Sequence, residues 1–369
     1  MTVPATSTEA PAEHFLLERY VRPGGDEKAS LLLRGYYAAK PLIPRRAQLA
    51  MRRRYARRQA TRDFPRWPIE PILVERMHDE LRRELPNHDE RGVPLVGFWP
   101  GGHRFAFVLT HDVEGTAGIE NIEAVRAVER ERGLVSSWNF CAEEYPIPPG
   151  TFDALRAEGC EIGLHGVNHQ CKTFSTRERF EADLPKIHRY LREWGADGFR
   201  SPALHRNADW MPELGCLYDS SYPDTDPYEP QPGGCCSIFP FVNGDLVELP
   251  LTLVQDHTMW DILGRDDIGL WTQKADWVAA HHGLVNGNVH PDYLLDRSRL
   301  DRYGAFLDHL VRAGGGWAAL PVDVARWWKA RAQASVASDG ETVDGAEGWD
   351  ARVVHARERD GAIVFAGAG

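Results

Sequence analysis

The chain has 369 residues, of which 43% are apolar and 10% aromatic, so it can bury a substantial core and is not a disordered protein. Its net charge of −11 gives no general basic surface, which argues against nucleic acid as a partner of the whole chain. No apolar run approaches the ~18 residues of a membrane-spanning helix, so we expect no membrane span.

Residues 1–14 are rich in Pro, Thr, Ala and Glu, which predicts a disordered N-terminus. They lack the basic start and apolar centre of a secretory signal, so we expect a cytoplasmic protein whose six cysteines are mostly reduced. Residues 15–103 predict a helical extension interrupted by prolines. Between Arg45 and Arg66 lie nine arginines and a single acid, Asp63. This stretch either binds phosphate groups or anionic lipid, or forms a solvated helical face that complements an acidic domain.

The main domain is predicted over residues 104–334, where strands alternate with helices. Its first strand, Phe105–Leu109, is a continuous apolar run typical of a strand covered on both faces. Further strands are predicted over 135–141, 160–164, 198–200, 217–222, 238–241, 247–249, 284–289 and 317–320. Helices are predicted over 119–132, 151–158, 175–194, 208–214, 299–312 and 322–331. This alternation indicates an α/β fold with a parallel sheet, either a barrel or doubly wound. Residues 335–369 are predicted to be a linker and a C-terminal tail, with a hairpin over 351–365.

Two histidines four residues apart, His165 and His169, follow the apolar run Cys160–Leu164. Imidazoles at this spacing just past a strand can converge on one metal ion, although each is alternatively a structural histidine. Asp112 and Glu114 stand at the end of the first strand, and their spacing puts both carboxylates on one face. Together these residues supply two histidines and a carboxylate for a metal site with open positions.

Arg200 and His290 also follow predicted strands, and a proline comes soon after each of them. A guanidinium beside a carboxylate keeps that acid ionised and oriented, with a structural ion pair as the alternative for Arg200. His290 is a candidate general acid or a cap of the following turn. Because active residues of parallel α/β folds lie where strands end, these side chains are expected to meet.

These elements, in this order, resemble the polysaccharide deacetylase (NodB-homology) superfamily, carbohydrate esterase family 4, over about residues 104–331. The segment Gly159–His169 resembles the family's second motif, and Arg200-Ser201-Pro202 resembles the third. Residues 218–222 resemble the fourth motif and residues 289–291 the fifth. The resemblance implies an irregular (β/α) barrel with its site at the carboxyl ends of the strands, preceded here by the helical extension.

The first motif departs from the family pattern. The family's T-F-D-D-G reads here Thr110-His111-Asp112-Val113-Glu114, so valine replaces the second aspartate, which is the family's metal ligand. The simplest transfer makes Asp112 the base and Glu114 the ligand. The competing assignment makes Asp112 the ligand and gives the base role to Glu114 or His111.

The resemblance implies metal-dependent hydrolysis of non-peptide C–N bonds, by an N-deacetylase acting on an N-acetylated amino sugar or glycan precursor. Asp112 would take a proton from water, His290 would protonate the departing amine, and Arg200 would orient the base. A divalent ion, expected to be zinc, would be held by Glu114, His165 and His169. The alternatives are a metal-independent cyclic amide hydrolase and a non-catalytic carbohydrate-binding member of the same fold.

Some residues around this site have a weaker assignment. Tyr222, Trp210 and Trp260 are candidates to stack on a sugar ring, or else belong to the core. The segment 249–257 lies between the fourth and fifth motifs and is expected to line the cleft.

Overall fold

The structure is a computed structural model that describes residues 11–21, 45–59 and 63–367. Most of the segment expected to be disordered, residues 1–10, lies outside the described residues. The expectation is wrong for residues 12–14, which belong to helix α1 (Ala12–Leu16). Phe15 anchors this helix to the rest of the protein, because its side chain is fully buried in a cluster with Ile72 and Cys236.

The N-terminal extension docks on loops of the main domain. It continues with α2 (Arg45–Gln59), α3 (Ile72–Glu84) and strand β1 (Val93–Val96). The extension was expected to be helical, but it also contains this strand. Glu18 forms a buried ion pair with Arg206 at 2.6 Å. Arg53 Nε donates to the carbonyl of Asp261 at 2.8 Å, and Arg52 donates to the carbonyl of Tyr228. Arg66 also pairs with Glu70, at 3.5 Å. Among the arginines whose side chains are described, three therefore contact the protein itself.

One curved sheet forms the centre of the molecule. Its strands are β2 (Phe105–Val113), β3 (Ser137–Phe140), β4 (Glu161–Leu164), β5 (Gly198–Phe199), β6 (Tyr218–Asp219), β7 (Phe241–Asn243), β8 (Leu246–Glu248), β9 (Leu284–Asn288) and β10 (Gly316–Ala318). Their order is β10-β2-β3-β4-β5-β6-β8-β7, and β9 pairs with the other edge of β2. Neighbours are parallel except β7 and β8, which are antiparallel. Past β8, Leu253 N donates to Asn286 O of β9 at 3.1 Å, which curls the sheet toward a barrel.

Helices connect the strands and cover the sheet. They are α4 (Thr116–Arg130), α5 (Thr151–Ala157), α6 (Arg177–Trp194), α7 (Gly269–Ala280), α8 (Arg297–Ala313) and α9 (Pro321–Gln333). Single-turn helices occupy residues 85–87, 100–102, 202–204, 211–214, 258–262 and 291–293. The sheet and its helices form an irregular (β/α) barrel, as the sequence predicts. None of the helices in the described part of the chain is both long and apolar enough to cross a membrane.

Strand β2 is buried along its whole length, since all nine of its residues are buried. Its side chains alternate between two faces. Phe105, Phe107 and Leu109 lie in one apolar cluster with residues of α4, α7 and α8. Ala106 and Val108 lie in a second cluster with residues of β6, β8 and α9. Alternation therefore separates an outer, helix-covered face from an inner face, and the even-numbered residues of β2 belong to the inner one.

The C-terminal tail is ordered and joins the extension. The predicted hairpin is confirmed by β13 (Val353–Arg359) and β14 (Ala362–Ala366), and β13 also pairs antiparallel with β1. The segment expected to be a linker contains a short hairpin of its own, β11 (Ser335–Val336) and β12 (Val343–Asp344). These pairings bury backbone groups that a free tail would leave in water.

A buried ionic network fixes the outer face of β2 to the helices. Glu129 of α4 accepts four hydrogen bonds: Oε1 from His111 Nε2 (2.7 Å) and the Tyr303 hydroxyl (2.6 Å), and Oε2 from Arg126 (2.6 Å) and Ser136 (2.7 Å). Burial alone would raise the pKa of Glu129, but the charge and hydrogen bond of His111 lower it. The carboxylate therefore joins β2 to α4 and α8.

Replacing Glu129 by Gln is expected to lower the free energy of unfolding by about 3–5 kcal/mol, because it leaves buried cationic groups without their carboxylate. Urea denaturation measures this change. Glu123→Gln is the matched control on the same helix, since Glu123 is 75% exposed and should change little. Equal effects of the two substitutions would contradict the role of the network.

Candidate functional site

The side chains predicted to form the site lie together at the carboxyl ends of the strands. Asp112 is on the inner face of β2, and the other five follow strand ends. Three distances define the cluster: His169 Nε2 to Glu114 Oε1 is 3.0 Å, His165 Nδ1 to Asp112 Oδ2 is 3.8 Å, and His290 Nε2 to Asp112 Oδ2 is 4.0 Å. The predicted set is Asp112, Glu114, His165, His169, Arg200 and His290.

Three of these residues could hold a metal ion. Glu114, His165 and His169 each offer a ligand atom, and these atoms all lie within 4.8 Å of one another. The Nε2 atoms of both histidines are buried, and neither makes a hydrogen bond of good geometry among the described residues, although Nε2 of His169 lies 3.0 Å from Glu114 Oε1. Unpartnered imidazole nitrogens beside a carboxylate are the donor set that a divalent ion requires, so the residues present fit such an ion.

His165 is oriented with Nε2 free. Its Nδ1 lies 3.0 Å from the carbonyl oxygen of Arg200, which can only accept, so Nδ1 carries the proton. Burial lowers the pKa of His165 to about 4, so the imidazole is neutral near pH 7. A neutral imidazole with a lone pair on Nε2 is the form that binds metal.

Glu114 is held by the loop that follows β9. Its backbone N–H donates to Asp292 Oδ2 (2.9 Å), and the Tyr293 hydroxyl donates to its Oε2 (3.0 Å). The other oxygen, Oε1, therefore faces His169 and lies 3.6 Å from His290 Nε2. Burial would raise the pKa of Glu114, but the neighbouring histidines hold it well below its usual value. This carboxylate is ionised and fixed in orientation.

Asp112 accepts hydrogen bonds on both oxygens. Asn139 Nδ2 (2.8 Å) and Arg200 Nη1 (3.2 Å) donate to Oδ1, and Asn288 Nδ2 (2.7 Å) donates to Oδ2. Burial would raise the pKa of Asp112, but the charge of Arg200 holds it well below its usual value. Arg200 is itself fixed, since it also donates to the backbone carbonyl and hydroxyl of Ser220.

His290 is paired with a carboxylate that the sequence did not single out. Asp256 Oδ1 lies 2.6 Å from His290 Nδ1, and Asp256 Oδ2 accepts the backbone N–H of His290 at 2.8 Å. Burial would lower the pKa of His290, but Asp256 raises it to about 10. The imidazole is therefore protonated near pH 7, with Nε2 on the side of Asp112 and Glu114.

Comparisons with known proteins address the fold. No family model matches the chain, and no curated protein matches its sequence. A candidate polysaccharide deacetylase from Mycobacterium smegmatis has a TM-score of 0.51 at 17% identity, over 64% of this chain and 94% of that chain. The solved structure of Puue allantoinase has a TM-score of 0.50 at 14% identity, over 63% of this chain and 92% of that chain. The chain has the NodB-homology, carbohydrate esterase family 4-like fold.

Two groups of expected residues lie outside the site. His111 belongs to the outer face of β2, and its ring nitrogens lie 2.6 Å from Val289 O and 2.7 Å from Glu129. It is therefore not placed to act as a base. The aromatic candidates are core residues: Tyr222 is 2% exposed and Trp260 is 5% exposed. Trp210 packs on Phe180, with ring centroids 5.7 Å apart.

Four residues of the site were missed by the sequence analysis: Asp256, Asn139, Asn288 and Tyr293. A signal existed for two of them. Asn288 is two residues before His290 and thus belongs to the same face of that strand. Asp256 lies in the segment 249–257, which was expected to line the cleft. No comparable pattern marks Asn139 or Tyr293.

Adding zinc to chelator-treated protein is expected to raise its unfolding temperature, because a ligand that binds only the folded state stabilises it by about 2.7 kcal/mol at 100 times Kd. Differential scanning fluorimetry measures the shift. His165→Ala should remove it. His309→Ala is the matched control, since His309 pairs with Asp276 at 2.6 Å and is not one of the site residues. A full shift in His165→Ala would place the bound ion elsewhere.

Proposed function

We propose that the chain is a metal-dependent hydrolase of non-peptide C–N bonds, an N-deacetylase acting on an N-acetylated amino sugar or glycan precursor. One observation carries the proposal: the ligand atoms of Glu114, His165 and His169 converge beside Asp112 and His290. A site for a metal ion thus adjoins an ionised carboxylate and a protonated imidazole. A metal ion, a base and an acid are the three components of metal-assisted amide hydrolysis.

Zinc is the proposed ion, because two imidazoles and one carboxylate with open positions are typical of catalytic zinc sites. When bound, such an ion lowers the pKa of a coordinated water toward about 7 and polarises the carbonyl of the amide. In this chain Glu114, His165 and His169 would hold it. The Tyr293 hydroxyl supports this role, because it holds Glu114 Oε2 and leaves Oε1 to the ion.

The geometry favours Asp112 as the base and Glu114 as the ligand. Both oxygens of Asp112 accept hydrogen bonds, from Asn139, Arg200 and Asn288. By contrast, Glu114 Oε1 lies 3.0 Å from the candidate ligand atom His169 Nε2. Asp112 would accept the proton of the water that attacks the acyl carbon. The substitution of valine for the family's second aspartate is then offset by moving the ligand one residue along the chain.

His290 is the proposed general acid. Its Nε2 proton would pass to the nitrogen of the substrate as the C–N bond breaks, which releases acetate and a free amine. Asp256 supports this role in two ways: it orients the ring through Nδ1 and keeps the imidazole protonated.

We also propose a carbohydrate substrate and a cytoplasmic location. A carbohydrate is favoured because a solved neighbour is a candidate polysaccharide deacetylase. A cytoplasmic protein would act on a soluble or lipid-linked precursor. Contact between the Arg45–Arg66 stretch and anionic lipid or phosphate stays a prediction, and Arg52 and Arg53 already donate to barrel carbonyls.

A metal-independent cyclic amide hydrolase is the second candidate. It is favoured by the similarity to Puue allantoinase, whose TM-score of 0.50 nearly equals that of the candidate deacetylase. The two candidates differ in their need for metal, which a chelator tests directly. A non-catalytic carbohydrate-binding protein would show neither metal-dependent nor metal-independent turnover.

Two carboxylate substitutions should separate the roles of Asp112 and Glu114. Asp112→Asn is expected to keep about one equivalent of metal while acetate release falls by about 10²-fold or more, because the base is lost. Glu114→Gln is expected to lose both metal and acetate release. Metal content is measured by elemental analysis of protein purified without chelator, and acetate by an assay on a panel of N-acetylated amino sugars and chito-oligosaccharides.

The same assay decides between the candidate functions. Acetate release that stops with chelator and returns with zinc supports the deacetylase. Ring opening of a cyclic amide such as allantoin that survives chelation would replace it with the second candidate. Glu123→Gln, on the surface of α4, is the control expected to match the wild type in both measurements.

A further inference from the structure

Asn288 stands between the proposed base and the proposed acid. Its Nδ2 lies 2.7 Å from Asp112 Oδ2 and 3.4 Å from His290 Nε2. Asp112 Oδ2 and His290 Nε2 are themselves 4.0 Å apart. A carboxylate oxygen and an imidazole N–H this close in a buried site would normally approach to about 2.8 Å and form a hydrogen bond. Instead, Asp112 Oδ2 accepts a hydrogen bond from the side chain of Asn288.

The orientation of the Asn288 amide is fixed by its neighbours. Its two Nδ2 hydrogens go to Asp112 Oδ2 and to Gln255 Oε1, which lies 2.9 Å away. Both partners only accept, so the opposite orientation of the amide would place two oxygens against Asn288 Oδ1. The NH₂ group therefore faces the base.

Gln255 is fixed in turn by a buried carboxylate. Its Nε2 donates to Glu229 Oε1 at 2.7 Å, which leaves Oε1 to accept from Asn288. Glu229, Gln255, Asn288 and Asp112 thus form one connected chain of hydrogen bonds, in which Asn288 donates to both of its neighbours. All four are at least nine-tenths buried, so solvent does not compete for these hydrogen bonds.

We propose that Asn288 is a positioning residue that keeps the base Asp112 and the acid His290 apart, and that Gln255 and Glu229 hold it in place. This role rests on the proposed function for its catalytic meaning, but its geometry does not depend on it. If Asp112 and His290 paired with each other, the oxygen that must accept a proton and the nitrogen that must give one would both be occupied. Asn288 keeps both available to substrate and water.

Asn288→Leu tests the proposal, because leucine has a similar size but cannot donate. A crystal structure of the variant is expected to show the Asp112 Oδ2 to His290 Nε2 distance shortened from 4.0 Å to below about 3.2 Å. The kcat is expected to fall about tenfold to hundredfold with KM and metal content near wild type, because acid–base catalysis contributes about 10²–10⁴-fold. A retained 4.0 Å separation, or a raised KM with unchanged kcat, would overturn the proposal.

Asn286→Leu is the matched control. Asn286 lies two residues earlier on the same strand face and is equally buried, but its Nδ2 donates to Ser220 Oγ and Leu249 O. Its loss should leave the separation of base and acid unchanged. The distance measurement needs no turnover, so a protein without deacetylase activity would refute the proposed function and still allow the role of Asn288 to be decided.

Substitutions at the far end of the chain provide a second test if Asn288→Leu does not fold. Glu229→Gln keeps an oxygen that can accept from Gln255, so kcat should stay near wild type. Glu229→Leu removes that oxygen and should lower kcat in the same way as Asn288→Leu, with KM unchanged. Equal kcat values for Glu229→Gln and Glu229→Leu would show that the chain does not position the base.

Discussion

Strand β2 is buried on both faces, and the strict alternation of its side chains is the constraint on which the rest of the molecule depends. His111 points outward to Glu129 of α4, and Asp112 points inward to Arg200. A slip of one residue in the register of β2 would exchange these environments, so that His111 would take the place of Asp112 in the site. The Glu129 network opposes such a slip. Glu129 accepts one hydrogen bond from His111 of the strand, and three more from α8, α4 and Ser136 hold the carboxylate in place.

Much of the barrel was predictable because strands alternate with helices, and the central strand β2 begins as a continuous apolar run that ends in polar residues. The carboxyl ends of parallel strands meet at one edge of the sheet, so the six predicted site residues come together from local signals alone. Helix α7 was not predicted, and the reason is physical. Its buried face includes Lys274, which pairs with Asp224 at 2.6 Å. A charged residue interrupts the apolar pattern, and its partner is invisible to any local reading of the sequence.

The contacts that tune the site were the least predictable part. Asn139, Asp256 and Asn288 come from three separate segments, and a carboxamide in a strand or a carboxylate in a loop has many ordinary uses. Their roles appear only when the fold brings them within hydrogen-bond distance of Asp112 or His290. The same holds for β1 and β13, whose pairing joins the extension to the tail across most of the chain. Short motifs carry the reacting groups, whereas long-range contacts orient them.

Helix α2 ends against the loop that carries Glu229, where Gln59 Nε2 lies 3.4 Å from the Glu229 carbonyl oxygen. Only the hydrogen-bonded chain through Gln255 and Asn288 separates that loop from Asp112. A domain boundary placed at residue 104, from the sequence motifs alone, would keep every proposed reacting group. It would remove helix α2, which contacts the loop that carries Glu229. The extension and the barrel are therefore one structural unit. If Asn288 acts as proposed, a change in helix α2 is expected to alter turnover without touching a reacting atom.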